Sequence, residues 1–571
     1  MKSINRREFL RIGGAGIAGL TLSGLNLPVY AKRKRLRSTS ANAWKFGVMA
    51  DTQWRTGNNA GGEPASCATT IIDALNDQFI QHGCKFVVQV GDLVDMESVD
   101  GVRSLPTRME HTQALYKAGI GFFPVRGNHE PSQTAALEIP DLFPQTLGNG
   151  PNLYGASNFQ SPILESQTGD SLGERLKGLS YAFDFENIRC VLIDQFIRAD
   201  GTNYDGTTSY NNNALDQLEW VDEMLSSNSL NRHSFVFTHK NLIGQNHKDN
   251  LFGQNLTSNS GARDEFITSL YNNAAGYYIS GHDHMHNRSI VKSSDGESGV
   301  NQLICSSNSY KFYIPKSGDD GREIALTQEL FTIGYYIFTI DGPRITVDFY
   351  SSSHGDDYGN ISLVTCPSLT FYLRESFGYS LNGSQFEIAQ GGSYTDITDS
   401  YQGTTASILS GQNNNTETDY LSRDLTKIIN TGWSDTSGIS DATGNVLTLW
   451  GLKDNLSLYN QNLEGLLPDS IESQETDVYT LSMSYPSKTN KDSKIKSGKF
   501  ILAARDTSTG KWKNAVDLNY GGNKNFIYGP WNSEYGLGTY GVDPSTSSVW
   551  AVINHESDFV AKWLNGSVGC R

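Results

Sequence analysis

Residues 85–95 read Lys85-Phe86-Val87-Val88-Gln89-Val90-Gly91-Asp92-Leu93-Val94-Asp95, an apolar run that stops abruptly at glycine and aspartate. A short run without polar alternation fits a strand buried on both faces. Working outward, Lys45 to Ala50, Gly121 to Val125, Phe235 to Thr238 and Tyr277 to Ser280 have the same texture, and each ends at a polar cluster. Between the first two strands the spacing predicts a helix, with Ile71, Ile72, Leu75, Phe79 and Ile80 on one stripe and Gly83 just past its end. Leu215, Leu218, Val221 and Leu225 predict a second. Strands alternating with helices indicate an α/β domain, where chemistry collects at the carboxyl ends of strands. A hairpin, Tyr335 to Thr339 and Arg344 to Tyr350 turned by Asp341-Gly342, is expected to close it.

Five segments concentrate metal-competent side chains: Asp51-Thr52-Gln53, Gly91-Asp92-Leu93-Val94-Asp95, Gly127-Asn128-His129-Glu130, His239, and Gly281-His282-Asp283-His284. Four of them directly follow strand-like runs. A rigid sheet can aim carboxylates, amides and imidazoles placed there into one crevice, which is how a dinuclear metal site is built. One such residue alone is more often a satisfied polar group or a turn former. Five in this order point to a site.

The order D-x-(H), G-D-x-x-D, G-N-H-E, a lone histidine and G-H-x-H resembles the signature of calcineurin-like metallophosphoesterases over residues 44–353, with Gln53 where many members have histidine. The resemblance implies a sandwich of two mixed β-sheets flanked by helices, and two divalent metal ions (manganese, iron or zinc). It implies that Asp51, Gln53, Asp92 and His284 surround one metal and Asp92, Asn128, His239 and His282 the other. Asp92 is then the bridge, and a hydroxide held between the metals attacks phosphorus. His129 is expected to protonate the leaving oxygen and Asp95 to orient His129, while Glu130 is structural. Gln53 offers only a neutral carbonyl oxygen, a harder ligand than imidazole, which disfavours zinc at that metal. Met96 stands where protein serine/threonine phosphatases carry a phosphate-binding arginine, which disfavours phosphoproteins. Asp95, where purple acid phosphatases have tyrosine, argues against tyrosinate-iron chemistry. Arg126, Lys240 and His247 are candidate phosphate contacts, with solvated loop charges the commoner reading.

The chain has 571 residues, enough for two or more domains, and a net charge of −16. Residues 1–31 carry four basic side chains and one acidic, so the remainder stands at −19, which disfavours nucleic acid as a partner. Asn5-Arg6-Arg7-Glu8-Phe9-Leu10 followed by an apolar stretch from Ile12 to Leu27 looks like a twin-arginine export signal. Val29-Tyr30-Ala31 supplies the small residues a signal peptidase reads, so cleavage is expected after Ala31. That implies the Tat translocase as a transient partner, a periplasmic or secreted protein, and no stable membrane span after cleavage; the alternative is a short anchor helix that is never cut. Gly14-Ala15-Gly16-Ile17-Ala18-Gly19 fits G-x-G-x-x-G, but no strand precedes it, so it is not a dinucleotide site. Cys67, Cys84, Cys190, Cys305, Cys366 and Cys570 form no C-x-x-C pair, which argues against a zinc-thiolate site and leaves disulfide pairing open.

Past Ser353 the sequence turns to Ser, Asn, Gly and Thr with short strands such as Tyr479 to Tyr485, predicting a β-rich second domain over 354–571. Asn413-Asn414-Asn415 reads as a solvated loop. Trp433, Trp450, Trp512, Trp531, Trp550 and Trp563 fall here, more often sandwich core than a stacking surface. The enzyme reading, hydrolysis of small phosphate monoesters or diesters, competes with an envelope- or polysaccharide-binding protein whose metal domain is vestigial. The presence of Asp92, Asn128 and His129 favours catalysis.

Overall fold

The apolar runs form strands because burial on both faces leaves their ladders as the one place for main-chain N–H and C=O groups to pair. In the computed structural model, β1 (Trp44–Met49), β2 (Phe86–Val90) and β3 (Gly121–Val125) lie side by side and parallel. A second sheet is built from β4 (Ser157–Gln160), β5 (Tyr181–Phe185), β6 (Ile188–Leu192), β7 (His233–Phe237), β8 (Tyr277–Ser280), β9 (His286–Lys292), β10 (Gly299–Ile304) and β11 (Glu323–Glu329). Its order is β11-β9-β10-β8-β7-β6-β5-β4, with β6, β7, β8 and β10 parallel. The hairpin β12 (Thr332–Asp341) and β13 (Arg344–Ser353), with β14 (Tyr372–Ser380), completes the first sheet as β14-β13-β12-β1-β2-β3. Asp341 pairs with Arg344, so the turn is Gly342-Pro343, one residue later than expected, where Pro343 has no N–H to give the ladder. The described residues are 42–53, 69–99, 101–162, 176–197, 212–228, 232–309, 311–316, 321–353, 369–414, 417–453 and 476–564. The expected export signal, Cys67, Cys366, Cys570 and Asn415 lie outside them.

Both sheets are mixed and they stack face to face. Phe46, Phe86 and Phe123 of the first sheet meet Phe183, Phe235 and Phe237 of the second in one aromatic core, where the Phe123 and Phe183 ring centroids are 4.4 Å apart. The outer face of the first sheet is covered by α1 (Thr69–His82), α2 (Leu105–Lys117) and α3 (Gln133–Leu142), which bury Ile71, Leu75, Phe79 and Leu115. The outer face of the second takes α4 (Leu218–Ser226) and α5 (Ser260–Asn272) through Trp220, Val221, Phe266 and Leu270. This is the expected calcineurin-like arrangement of helices, sheet, sheet and helices. Leu215 starts a 3-10 turn ahead of α4.

The β-rich carboxyl-terminal region forms two six-stranded sheets with their own core, including Trp433, Leu481, Met483, Phe500 and Phe559. Trp433, Trp450 and Trp550 are fully buried, and Trp512 and Trp563 pack against that core, so these tryptophans serve packing. Asn413 departs from the solvated loop expected of it. It is 4 % exposed and its amide donates to the main-chain carbonyls of Ile388 and Ala389, which hold it in the fold. All described residues fall within one compact unit spanning 36–571. Among them no helix is long and apolar enough to cross a membrane.

Candidate metal centre

Asp51 follows β1, Asp92 follows β2, Asn128 follows β3, His239 follows β7, and His282 and His284 follow β8. All stand at the carboxyl ends of parallel strands, so the two sheets deliver them to one edge of the sandwich. Asp51, Asp92, His282 and His284 adopt φ of 50°, 47°, 71° and 55°. Left-handed backbone costs a residue with a Cβ about 1–2 kcal/mol, and it persists where surrounding structure over-determines it, as at functional sites. The approach is close enough to demand glycine beside it. A Cβ on Gly91 would collide with the His239 ring, and one on Gly127 with Asp92.

The side chains converge acceptor to acceptor. His239 donates through Nδ1 to the Val90 carbonyl (3.0 Å), which leaves the Nε2 lone pair facing Asn128 Oδ1 at 2.8 Å and Asp92 Oδ1 at 3.3 Å. His284 donates through Nδ1 to the Lys311 carbonyl (2.8 Å), leaving Nε2 3.4 Å from Asp51 Oδ1. His282 turns Nε2 towards Asp249 (3.4 Å), so Nδ1 is the nitrogen it can offer. Ligand atoms of Asp51, Asp92 and His239 lie within 4.8 Å of one another. Gln53 is 1 % exposed, and among the described residues neither of its amide atoms has a hydrogen-bond partner. Around His239 Nε2, Asn128 Oδ1 and Asp92 Oδ1, lone pairs brought together without a proton between them suit a cation. The donor set of carboxylate, amide and imidazole suits a divalent metal.

The two carboxylates differ in electrostatics. Burial raises the Asp92 carboxyl, but the imidazoles of His239, His129 and His282 outweigh it and hold the group well below the usual carboxylate range. Burial pushes Asp51 up to about 8 against the pull of His239, with the Asp92 charge adding to the rise. Burial also lowers His239, His282 and His284, keeping them neutral, the form that ligates metal.

His129 stands at the mouth with its side chain 26 % exposed and Nε2 3.9 Å from Asp92 Oδ2. Its Nδ1 donates to the main-chain oxygen of Asp95 at 2.6 Å. The Asp95 carboxylate, expected to orient that ring, is 3.6 Å away and instead binds Lys311 Nζ at 2.5 Å. Asp95 thus orients His129 through its backbone. Glu130 is fully buried, accepting from the N–H groups of Val94 and Gly127, a structural clamp between two site loops.

Arg126 and Lys240, read as solvated charges or phosphate contacts, are neither. Arg126 makes a buried two-pronged pair with Asp194 (2.6 and 2.9 Å), and Lys240 pairs with Asp249 at 2.8 Å. His247 hydrogen-bonds Asp283 at 2.8 Å, and its ring centroid lies 4.1 Å from that of His282. Sequence reasoning missed Lys311, whose ammonium lies 3.5 Å from His129 Nε2, and Asp249. Neither belongs to a motif or follows a strand, and no signal in the chain marks them.

The model of the family described as calcineurin-like phosphoesterase matches residues 45–286. That match supports a metal-dependent phosphoric ester hydrolase. Solved structures similar in part include a purple acid phosphatase from yellow lupin seeds, 12% identical, covering 58% of this chain and 57% of that one with a TM-score of 0.34. A dimetal phosphatase from Danio rerio is 15% identical, covering 53% and 95% with a TM-score of 0.33. GAP50, the anchor in the inner membrane complex of Plasmodium, is 14% identical, covering 58% and 89% with a TM-score of 0.33. No curated protein matches the sequence.

Proposed function

We propose that this chain is an exported phosphoesterase whose catalytic domain, residues 44–353, hydrolyses small phosphate mono- or diesters at a dinuclear metal centre. The observation that carries the reading is the convergence of His239 Nε2, Asn128 Oδ1 and Asp92 Oδ1 with no proton to share. Asp51, Gln53, Asp92 and His284 would hold one divalent ion, and Asp92, Asn128, His239 and His282 the other; manganese or iron suits the Gln53 side better than zinc. The bound metals supply Lewis acidity for the phosphoryl oxygens and an activated water at neutral pH. The chain's own part is to place the ester. His129 stands at the open side of Asp92, where Nε2 can give a proton to the leaving oxygen, and Asp95 holds the other ring nitrogen. Lys311 adds a cation beside that leaving oxygen.

Residues 1–31 form a twin-arginine signal in this reading, which sends a folded, metal-loaded protein through the Tat translocase to the periplasm or medium. The sequence of Asn5 to Leu10 supports it; amino-terminal sequencing of the exported protein is expected to begin at Lys32, and an intact Met1 would refute it. The catalytic reading is tested by hydrolysis of p-nitrophenyl phosphate and bis-p-nitrophenyl phosphate with Mn²⁺, Fe²⁺, Zn²⁺ or Mg²⁺. Asp92→Asn is expected to lose about a thousandfold or more, the several kcal/mol a metal pair supplies. No turnover with any metal would overturn the reading in favour of a binding protein.

A further inference from the structure

Among the described residues, a turn of the carboxyl-terminal region is linked to the metal centre through intervening side chains. Asp419 Oδ1 accepts the N–H groups of Leu421 and Arg423 at 2.9 Å each, and Oδ2 accepts Arg423 Nε at 2.6 Å, so the turn pre-forms the guanidinium. Thr426 N donates to the Ala325 carbonyl at 2.8 Å, docking the turn on β11. Ile428 then packs with Ile290 and Leu326 of the second sheet. Arg423 sends Nη1 to Glu323 Oε2 and Nη2 to Gln245 Oε1, both at 3.0 Å. Gln245 in turn donates its amide to both oxygens of Glu323 (2.9 and 2.7 Å) and its main-chain N–H to Asp283 Oδ2.

Gln245 is one anchor of the segment 240–253, beside Asn241, which also donates to Asp283 Oδ2 at 2.8 Å, and Leu242 and Ile243, whose N–H groups donate to Gln302. The other end of the network is Asp283, between the candidate ligands His282 and His284. Asp283 Oδ1 accepts from the N–H of His247 (2.9 Å) and the ring of His247 (2.8 Å). That segment holds His282 on two sides, with the His247 ring against its face and Asp249 on its Nε2. Metal-ligating histidines depend on such partners for tautomer and orientation, and losing one typically weakens metal binding about 10–100-fold.

We propose that residues 417–426 are a positioning element for the metal centre: Arg423 fixes Gln245, and through it the segment that orients His282. The carboxyl-terminal region is then a working part of the site rather than an appended module. The proposal rests on the metal-centre reading only for its consequence, not for its geometry.

Arg423→Gln in the full chain is the test, with Gln245→Met as a second variant should the first fail to fold. Hydrogen exchange is expected to rise about tenfold at the amides of residues 244–250 while residues 500–505, inside the distant sandwich, stay unchanged. Mn²⁺ titration is expected to show affinity falling about tenfold, with Arg423→Lys failing to restore it because lysine lacks the two-pronged fork. Unchanged exchange at 244–250, or an equal rise at 500–505, overturns the proposal. Loosened 244–250 in a chain that binds no Mn²⁺ even in the wild type would uphold the positioning and sink the metal reading.

Discussion

Strand β7 opens with His233 and is followed, after Thr238, by His239, two imidazoles buried to 0 % and 1 % exposure at the two ends of the strand. At the amino end, His233 has a protein partner on each nitrogen, the Gly342 carbonyl at 2.8 Å and the Tyr379 hydroxyl at 3.2 Å. At the carboxyl end, His239 satisfies Nδ1 on Val90 and points Nε2 at two acceptors. Residue type and burial are alike, so neither separates a structural histidine from a functional one. The partner list does: one ring is fully paired within the fold, and the other is half of an unfinished site. The same contrast extends to the charges. In the carboxyl-terminal region the buried Lys427 meets the buried Asp477, whereas Asp51 and Asp92 are met by imidazoles and main-chain N–H groups.

The contrast predicts that substitutions at the carboxyl ends of the strands cost activity and those at the amino ends cost stability. Among substitutions that spare the candidate ligands, the largest effect is expected at His129→Gln, which removes the proton donor; turnover should fall about 10²-fold or more, and more steeply for alkyl than for p-nitrophenyl esters. A loss independent of the leaving group would break the assignment.

At the other end, His233→Gln should leave metal-dependent turnover intact and change acid stability. Burial holds His233 down to about 4 against an ordinary 6.5. Above pH 6.5 the ring is neutral folded or unfolded and contributes nothing to the balance. Below it the unfolded chain takes a proton the folded chain refuses, so stability drains away as pH falls from about 6.5 to about 4. Urea unfolding should therefore show the wild type losing ~3 kcal/mol more over that window than the variant. Parallel pH profiles would mean that His233 is not held neutral.

Much of this contrast was legible in the sequence, and for a physical reason. The candidate ligands follow buried strands at once, so an apolar run and the turn after it sufficed to place Asp51, Asp92, His239 and His282 together. The same runs indicated the α/β class, while the two-sheet sandwich was implied by the resemblance of the motif order to calcineurin-like metallophosphoesterases. Lys311, Asp249 and Arg423 were illegible because they sit in irregular segments whose route over the sandwich is set by long-range pairing, with no periodicity to mark it. Arg126 misled for a related reason: its partner Asp194 lies 68 residues away, and a charge in a loop reads as solvated until its counterion is placed. Asp95 was assigned the right neighbour, His129, through the wrong group.

Two further variants sharpen the picture at the site itself. Lys311→Met should lower kcat/KM for p-nitrophenyl phosphate about tenfold or more and for bis-p-nitrophenyl phosphate by less, because a monoester brings one more charged oxygen for that cation to meet. Equal losses on the two esters would place Lys311 in positioning His129 only. The smallest change is expected for Gln53→His, which replaces a carbonyl oxygen by an imidazole nitrogen and should raise zinc affinity relative to manganese about tenfold in competition titrations. An unaltered preference would show that Gln53 does not face a metal.

We propose that the carboxyl ends of the two sheets assemble a dinuclear centre bridged by Asp92. Metal analysis of the full chain equilibrated with Mn²⁺ and freed of excess, with Asp92→Asn alongside, is the decisive experiment. Two Mn²⁺ per wild-type chain are expected, magnetically coupled in the electron paramagnetic resonance spectrum, and one or none in the variant. Equal metal content in wild type and variant, or a wild type that retains no metal, would contradict it.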